Sequence, residues 1–544
     1  MLGGSTSLRE MQTSVLPQSG TDPVISRLPA ATTLLPPLPS PERSQVVGKP
    51  KRRKRNANIA VSAVVALLAV MAIVYFQRSR PKTTRQIDAI AVMPFVNESG
   101  NPELEYLSDG MTDTLINSLS QLPNLSVKAR STVFRFKRKE TDVRTIGKEL
   151  QVPAILNGRV GQQANQLTLS LELIDVATEN VIWSEQYDRK QEDLISLQKE
   201  IARDVSSKLK TRLSGVDQQK LGNTNTTNPE AYKLYLQGRF HWNRREQKDL
   251  HNAIDYFNRA ISLDANYALA YAGLADSYAL LASFSFSPPS EAVPKAREFA
   301  NKALSLDASL AEAHTTLALT YQQFDYDFAS AEREYKSAIQ LNQNYATAHQ
   351  WYAEMLSCAG RFEESSTEFR RALELEPLSL PINWDYSRLF YNSRRFDEAL
   401  AQNKKTIELD GGFARVRRTL VEVYRVRHQY AEAIEELARY FELRGQPENA
   451  SLVRETFSKN GWNGYLQLVI APGSPLKERS WIRAKAYVDL GDKDKAFAEL
   501  NEAYDNRDSA LSFIKVDPQL EPLRSDPRYQ QLLQKMGFQS NSAR

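Results

Sequence analysis

CAGRFEESSTEFRRALELEP, residues 358–377, contains a turn, an amphipathic helix and a stop signal in one short run. Gly360 and Phe362 mark the turn. Ser365, Phe369 and Ala372 then fall on one helical face in the order small, large, small. The helix closes on LELE, with Pro377 just behind it. Working outward, the same order returns at Ala253, Phe257 and Ala260, at Ala331, Tyr335 and Ala338, and at Ala496, Leu500 and Ala503. The closing phrases ISLD, LSLD, IQLN, LELE and IELD place their leucines at Leu263, Leu306, Leu341, Leu375 and Leu409, at intervals of 43, 35, 34 and 34 residues. Small residues let paired helices approach, and the large one fills the gap between successive pairs.

A period of 34 residues with that pattern resembles the tetratricopeptide repeat. The resemblance covers 229–538 and implies an all-α solenoid ending in a capping helix at 525–538, with Ser525 or Asp526 as N-cap and Gly537 as stop. The long first interval fits an insertion around SFSPPSEAVPK. The repeat at 379–409 looks degenerate, with Asn403 and Thr406 where apolar residues belong, and 445–475 fits poorly enough to interrupt the array. Arrays of this family bind extended peptides or helices along a concave face formed by the first helix of each pair. By register, Gln350, Glu354, Trp384, Arg388 and Tyr391 face that groove, with Trp384 and Arg388 as its energetic centre. Tyr352, Phe369 and Phe390 read as core, and Cys358 as a small buried hydrophobe rather than a reactive thiol.

The region 87–213 mixes strands and helices. IDAIAVMPF reads as a buried strand, GMTDTLINSLSQL as a helix capped by Ser108 or Asp109, and LSVKARSTVFRF as a strand. VRTIGKEL is a short helix. VPAILNGRV, LTLSLELID and NVIWSEQYD form strands joined by hairpin turns, and a helix over roughly 191–213 closes the unit. The polar stretch PFVNESGNPELEYLSDG, residues 94–110, becomes the loop from first strand to first helix, because it lacks GxxxxGK[ST] and GxGxxG. This order of motifs resembles the TolB amino-terminal-like domain. In bacteria that module sits outside a membrane helix and before tetratricopeptide repeats, in winged-helix transcription regulators, some class III adenylate cyclases and receptor-type serine/threonine kinases. The resemblance implies a sensing or interaction module.

Ahead of it, residues 1–58 are proline-rich and basic, with eight prolines in the first fifty residues, and read as a disordered cytoplasmic tail. Residues 59–76, IAVSAVVALLAVMAIVYF, carry no charge and read as one transmembrane helix. Six basic residues precede this run (49–55) and four follow it (78–85). That bias puts the amino terminus in the cytoplasm and the bulk in the periplasm of a bacterial inner membrane.

The chemistry-bearing inventory is thin. There is one cysteine, and the five histidines show no HExxH spacing. The net charge of +5 is a small difference between 70 basic and 65 acidic residues, which does not mark a nucleic-acid binder. No catalytic, cofactor-binding or metal-ligating residue is assigned, and HRDxxxxN, DFG and a glycine-rich ATP loop are missing. The expected function is a non-enzymatic, membrane-anchored interaction scaffold or sensor for a protein or peptide partner, with a homo-oligomer left open. The alternative is the extracytoplasmic sensory portion of a serine/threonine kinase or transcriptional regulator whose effector domain is missing from this chain.

Overall fold

The computed structural model describes residue 71 and residues 87–101, 104–122, 125–163, 166–209, 226–476 and 478–538. The chain divides into two units, Met1–Thr83 and Thr84–Arg544. Of the first, only Met71 is described, helical and exposed. The tail at 1–58 lies outside the described residues, as does the run 59–76 apart from Met71. Among the described residues no helix is long and apolar enough to cross a membrane. The expected fold class is corrected in that respect, and the inner-membrane placement built on it is withdrawn. The uncharged run carried the span, and the basic flanks carried the placement.

Within the second unit, a six-stranded sheet opens the chain. Its strands are β1 (Ala89–Val92), β2 (Val96–Asn97), β3 (Ser126–Val127), β4 (Ala154–Gln163), β5 (Gln166–Asp175) and β6 (Val181–Lys190). They run in the order β3-β1-β4-β5-β6, with β2 also paired to β4. The short strands pair parallel, whereas β4, β5 and β6 form antiparallel hairpins. Period-two alternation explains β5: Leu167, Leu169, Leu171 and Leu173 point into the core, while Thr168, Ser170 and Glu172 are more exposed. Helices Glu105–Ser120 and Leu194–Lys208 pack on each other beside this sheet.

Three local expectations are corrected here. The first helix begins at Glu105, so Ser108 and Asp109 are not caps; both lie inside it, buried, with Asp109 accepting from Lys137. The stretch 125–136 contributes only the two residues of β3 before turning into a helix at Arg130–Val133 and a 3-10 turn at Phe134–Phe136. The last helix of the domain is Leu194–Lys208, shorter than 191–213; positions 210–213 lie outside the described residues. The loop 97–101 bonds to itself: Asn97 Oδ1 accepts from Ser99 N at 3.1 Å, and Asn97 Nδ2 donates to Asn101 O at 2.8 Å. The loop is shorter than the expected 94–110, since 96–97 form β2 and 105–110 belong to the first helix.

From Pro229 onward the chain is a run of antiparallel helix pairs: 229–242 with 247–263, 268–283 with 289–306, 311–320 with 328–341, 346–359 with 362–375, 380–392 with 396–409, and 415–426 with 430–443. Successive first helices touch one another, while second helices touch chiefly the first helices that flank them. The result is an inner and an outer layer. The small, large and small residues of every quoted triplet are buried.

The pair 380–409 is regular despite its polar positions. Asn403 is fully buried and accepts from Ser387 Oγ at 2.8 Å, and Gln402 Nε2 donates to Asn383 Oδ1 at 2.7 Å. Hydrogen bonds replace apolar contact there, although the buried Asn403 Nδ2 finds no acceptor among the described residues. The interruption at 445–475 is a helix, Pro447–Ile470, broken at Gly461, whose φ of 62° glycine adopts readily. The pair 480–489 with 493–505 resumes the pattern, and Asp526 caps the final helix, Pro527–Lys535.

The sheet domain docks along the edge of the array formed by turns between repeats. Lys128 Nζ donates to Glu374 O at 2.6 Å, Arg135 to Leu378 O at 2.9 Å, and Asn344 Nδ2 to Ser120 O and Leu125 O, both at 2.9 Å. The turns within repeats are held from the carboxyl-terminal end of the chain. Tyr326 OH donates to Asp508 O at 3.2 Å, Lys515 Nζ to Ala359 O at 3.0 Å, and Arg394 pairs with Glu521.

Candidate partner-binding face

The inner layer is built by register. A residue on one first helix meets its counterpart on the next about one repeat further along the chain. Gln350 Nε2 donates to Asp385 Oδ2 at 2.7 Å, Trp384 Nε1 to Thr419 Oγ1 at 2.9 Å, and Asn392 Nδ2 to Ser357 Oγ at 3.1 Å, each across 35 residues of sequence. These bonds tie neighbouring repeats edge to edge.

Of the five residues expected to face the groove, Glu354 and Arg388 line one narrow hollow, and Gln350 and Trp384 lie against Asp385 and Arg388 of its wall. Gln350 is buried under Asp385. Glu354 accepts from Gln322 Nε2 at 3.3 Å and lies 3.7 Å from the Arg388 guanidinium. Arg388 is also 3.7 Å from Asp385, and its guanidinium stacks 4.0 Å from the Phe513 ring centre and 5.1 Å from that of Trp384. Tyr391 turns away and is buried, donating to Asp517 Oδ1 at 3.1 Å. Trp384 and Arg388 are half-buried, so both combine internal contacts with an accessible surface.

Asp385, Thr419 and Phe513 belong to the same face and were not picked out from the sequence. For the first two a signal existed, since each stands 35 residues after a residue that was. Phe513 comes from the carboxyl-terminal turns, a contact no local pattern encodes. Burial raises the Asp385 carboxyl above the usual carboxylate range; the negative charge of Glu354 adds to this, and Arg388 and Gln350 oppose it. Burial also pushes the Cys358 thiol up, in keeping with a packed hydrophobe whose Sγ lies 3.8 Å from Ser512 Oγ. Among the described residues no group of histidine, cysteine and carboxylate side chains is placed to hold a metal ion.

Asp276, earlier in the same layer, gives a pH-dependent prediction. It is buried, accepts from Thr316 Oγ1, and is pushed up to about 6, chiefly by burial. Its folded pKa therefore lies above its unfolded value, and the folded state holds the proton more tightly. Stability is lost as pH rises through the window between the ordinary carboxylate value and about 6. Asp276→Asn keeps the acceptor and removes the titration. Its stability relative to wild type should improve by up to about 3 kcal/mol between pH 3.5 and pH 7. Urea unfolding across that range checks it; a constant difference would contradict it.

Comparison with known proteins places these parts. A family model described as "HilA/YgeH-like transcriptional regulator, second domain" matches residues 85–204. This is the region for which the motifs suggested a TolB-like domain. A tetratricopeptide repeat model matches residues 244–267, across the helix 247–263. The helical array is a run of helix pairs like that of tetratricopeptide repeat proteins, and the repeat model matches at its first pair. A putative adenylate cyclase 3 of Rhizobium meliloti (strain 1021) is 33% identical over 186 residues, which is 34% of this chain and 32% of that protein. The chain thus spans about a third of the length of the curated relative it matches. Among solved structures, YrrB, "a TPR protein with an unusual peptide-binding site", is similar at 21% identity with a TM-score of 0.25, covering 37% of this chain and 97% of that one. A thermophilic tetratricopeptide repeat protein of Thermus thermophilus is similar at 19% identity with a TM-score of 0.30, covering 38% and 98%.

Proposed function

We propose that this chain is a non-enzymatic interaction scaffold that holds a protein or peptide partner along the inner layer of its repeats. The observation that carries the proposal is the face itself. First helices from 311 to 426 present side chains in steps of one repeat, and Trp384 and Arg388 stay partly accessible at its middle. Tryptophan and arginine dominate binding energy in such settings. The test is photocrosslinking from the two layers. A benzoylphenylalanine at position 384 should yield an adduct with a defined partner in extracts of the source cell. The same group at Lys404, exposed on the second helix of that pair, should not. Adducts from 404 alone, or from neither position, would contradict the assignment.

A second reading concerns what the scaffold serves. The matches to a transcriptional-regulator domain and to part of an adenylate cyclase both favour a regulatory role, in which an output domain acts and this chain senses or recruits. A serine/threonine kinase or transcription regulator would fit that division of labour. On this reading the purified chain shows neither ATP-dependent phosphorylation nor cyclic nucleotide formation. Activity that survives removal of contaminating enzymes would overturn it.

A further inference from the structure

We propose that Asp385 is a proton-operated switch at the centre of the inner face. Neutral, it leaves Arg388 to Glu354; charged, it competes for that guanidinium and makes the hollow net negative. The proposal rests on the scaffold reading and names how the hold on a partner is regulated.

Two carboxylates surround one cation. Glu354 Oε2 and Asp385 Oδ1 each lie 3.7 Å from the same nitrogen, Arg388 Nη1. That distance is beyond hydrogen-bond reach, so the guanidinium attracts both groups and hydrogen-bonds to neither. Asp385 is 6% exposed. Its Oδ2 accepts from Gln350 Nε2 at 2.7 Å, whereas its Oδ1 has no hydrogen bond among the described residues. Glu354 is better served, accepting from Gln322 Nε2 at 3.3 Å and Gln323 Nε2 at 3.5 Å. Phe369, Leu389 and Phe513 supply apolar wall to the same hollow.

The packed elements bring no second cation into contact. On the helix 346–359, Cys358 is a buried thiol held in its neutral form. On 328–341, Tyr335 donates to Gln322 Oε1 at 2.9 Å, and the Glu354 charge opposes its ionisation. On 415–426, Arg415 favours a charged Asp385, yet it is exposed and sits against the rings of Phe284 and Trp384. Glu422 acts on Arg388 but is paired with Lys485 at 2.5 Å. The carboxyl-terminal turns add only an uncharged ring, Phe513, 4.0 Å from the Arg388 guanidinium.

With both carboxylates charged, the hollow therefore holds one negative charge in excess. An uncompensated buried charge is costly, and a proton on the more buried carboxyl removes it. Burial and the Glu354 charge both hold that proton on Asp385, while Arg388 and Gln350 work against it. Gain or loss of the proton changes the charge presented beside Trp384 and Arg388, the half-buried pair at the middle of the face.

The test is urea unfolding of the full chain, with and without Asp385→Asn, from about pH 4 to about pH 8. The difference between the two isolates this carboxyl, because the other titrating groups cancel. The folded state holds the proton more tightly than the unfolded one, so wild type should lose stability relative to Asp385→Asn as pH rises. The difference should level off above the folded-state transition. In a Glu354→Gln background the transition should move to lower pH, because the like charge is gone. In a Gln350→Leu background it should move to higher pH, because the hydrogen bond to the charged form is gone. Two shifts of opposite sign are not expected of a residue that merely packs there. A flat difference, or shifts of one sign, would overturn the switch. Adduct yield from benzoylphenylalanine at position 384 tests the regulation. It should differ at least ~5-fold between the two sides of the transition, and Asp385→Asn should remove the difference. Equal yields on both sides in wild type would overturn the proposal and leave the scaffold intact. If no adduct forms at any pH, the scaffold reading fails and the switch is decided by the unfolding differences alone.

Discussion

Replacing Lys485 with methionine should lower the free energy of unfolding by roughly 3–5 kcal/mol, the cost of breaking a buried ion pair from one side. Lys485 is 1% exposed, with its Nζ 2.5 Å from Glu422 Oε1 and 3.1 Å from Asp517 Oδ2. Asp517 is itself buried, accepts from Tyr391 OH at 3.1 Å and caps the turn at Gln519 N at 2.9 Å. This node ties the helix 480–489 and the carboxyl-terminal turns to the first helices 380–392 and 415–426. Methionine fills the volume and leaves the Asp517 charge without its cation. Adding Asp517→Asn keeps the cap, removes the orphaned charge and should recover part of the loss. Urea unfolding measures both. A single variant within 1 kcal/mol of wild type would mean that the node does not hold the end of the array, since exposed pairs contribute about that much or less.

Phe257→Ala should cost about 3–5 kcal/mol, the range for truncating a buried aromatic ring. The ring is fully buried between Gly238 and Gly273, on the first helices of adjacent repeats. A Cβ at Gly238 would fall 2.5 Å from this ring, and one at Gly273 would fall 2.6 Å from it. The glycines are therefore spaces shaped by Phe257, and Gly273→Ala alone should destabilise by about 1–3 kcal/mol through overpacking. Combined with Phe257→Leu, the same Gly273→Ala should cost less than it does alone, because the smaller side chain yields room. A double-mutant cycle with coupling near zero would contradict that packing.

The array was legible because its signal is periodic and local. Ala253, Phe257 and Ala260 share a helical face whatever the rest of the chain does, and all three are fully buried. Asn403 and Thr406 looked like decay of the pattern because a buried polar residue has meaning only through its partner. For Asn403 that partner is Ser387, on the facing helix. The stretch 125–136 misled for a similar reason. Ser126, Lys128 and Arg130 supply the alternation of a strand, yet Lys128, Ser131 and Arg135 bond to Glu374, Glu376 and Leu378, some 240 residues away. Local hydropathy records that they are polar and says nothing of where they reach. The carboxyl-terminal turns are the extreme case. Their contacts to Tyr391 and Tyr326 span 126 and 182 residues, so the presence of Phe513 at the candidate site had no sequence signal. The uncharged run at 59–76 shows the opposite failure, where one strong local feature carried a span, and a location was then built on it from the flanking charges.

Hydrogen–deuterium exchange of the full chain, with and without the partner crosslinked from position 384, separates the two layers of the array. Slowed exchange should appear in the first helices 346–359, 380–392 and 415–426, with the second helices 362–375, 396–409 and 430–443 unchanged. Protection confined to the second helices or to the sheet domain would contradict a partner bound along the inner face.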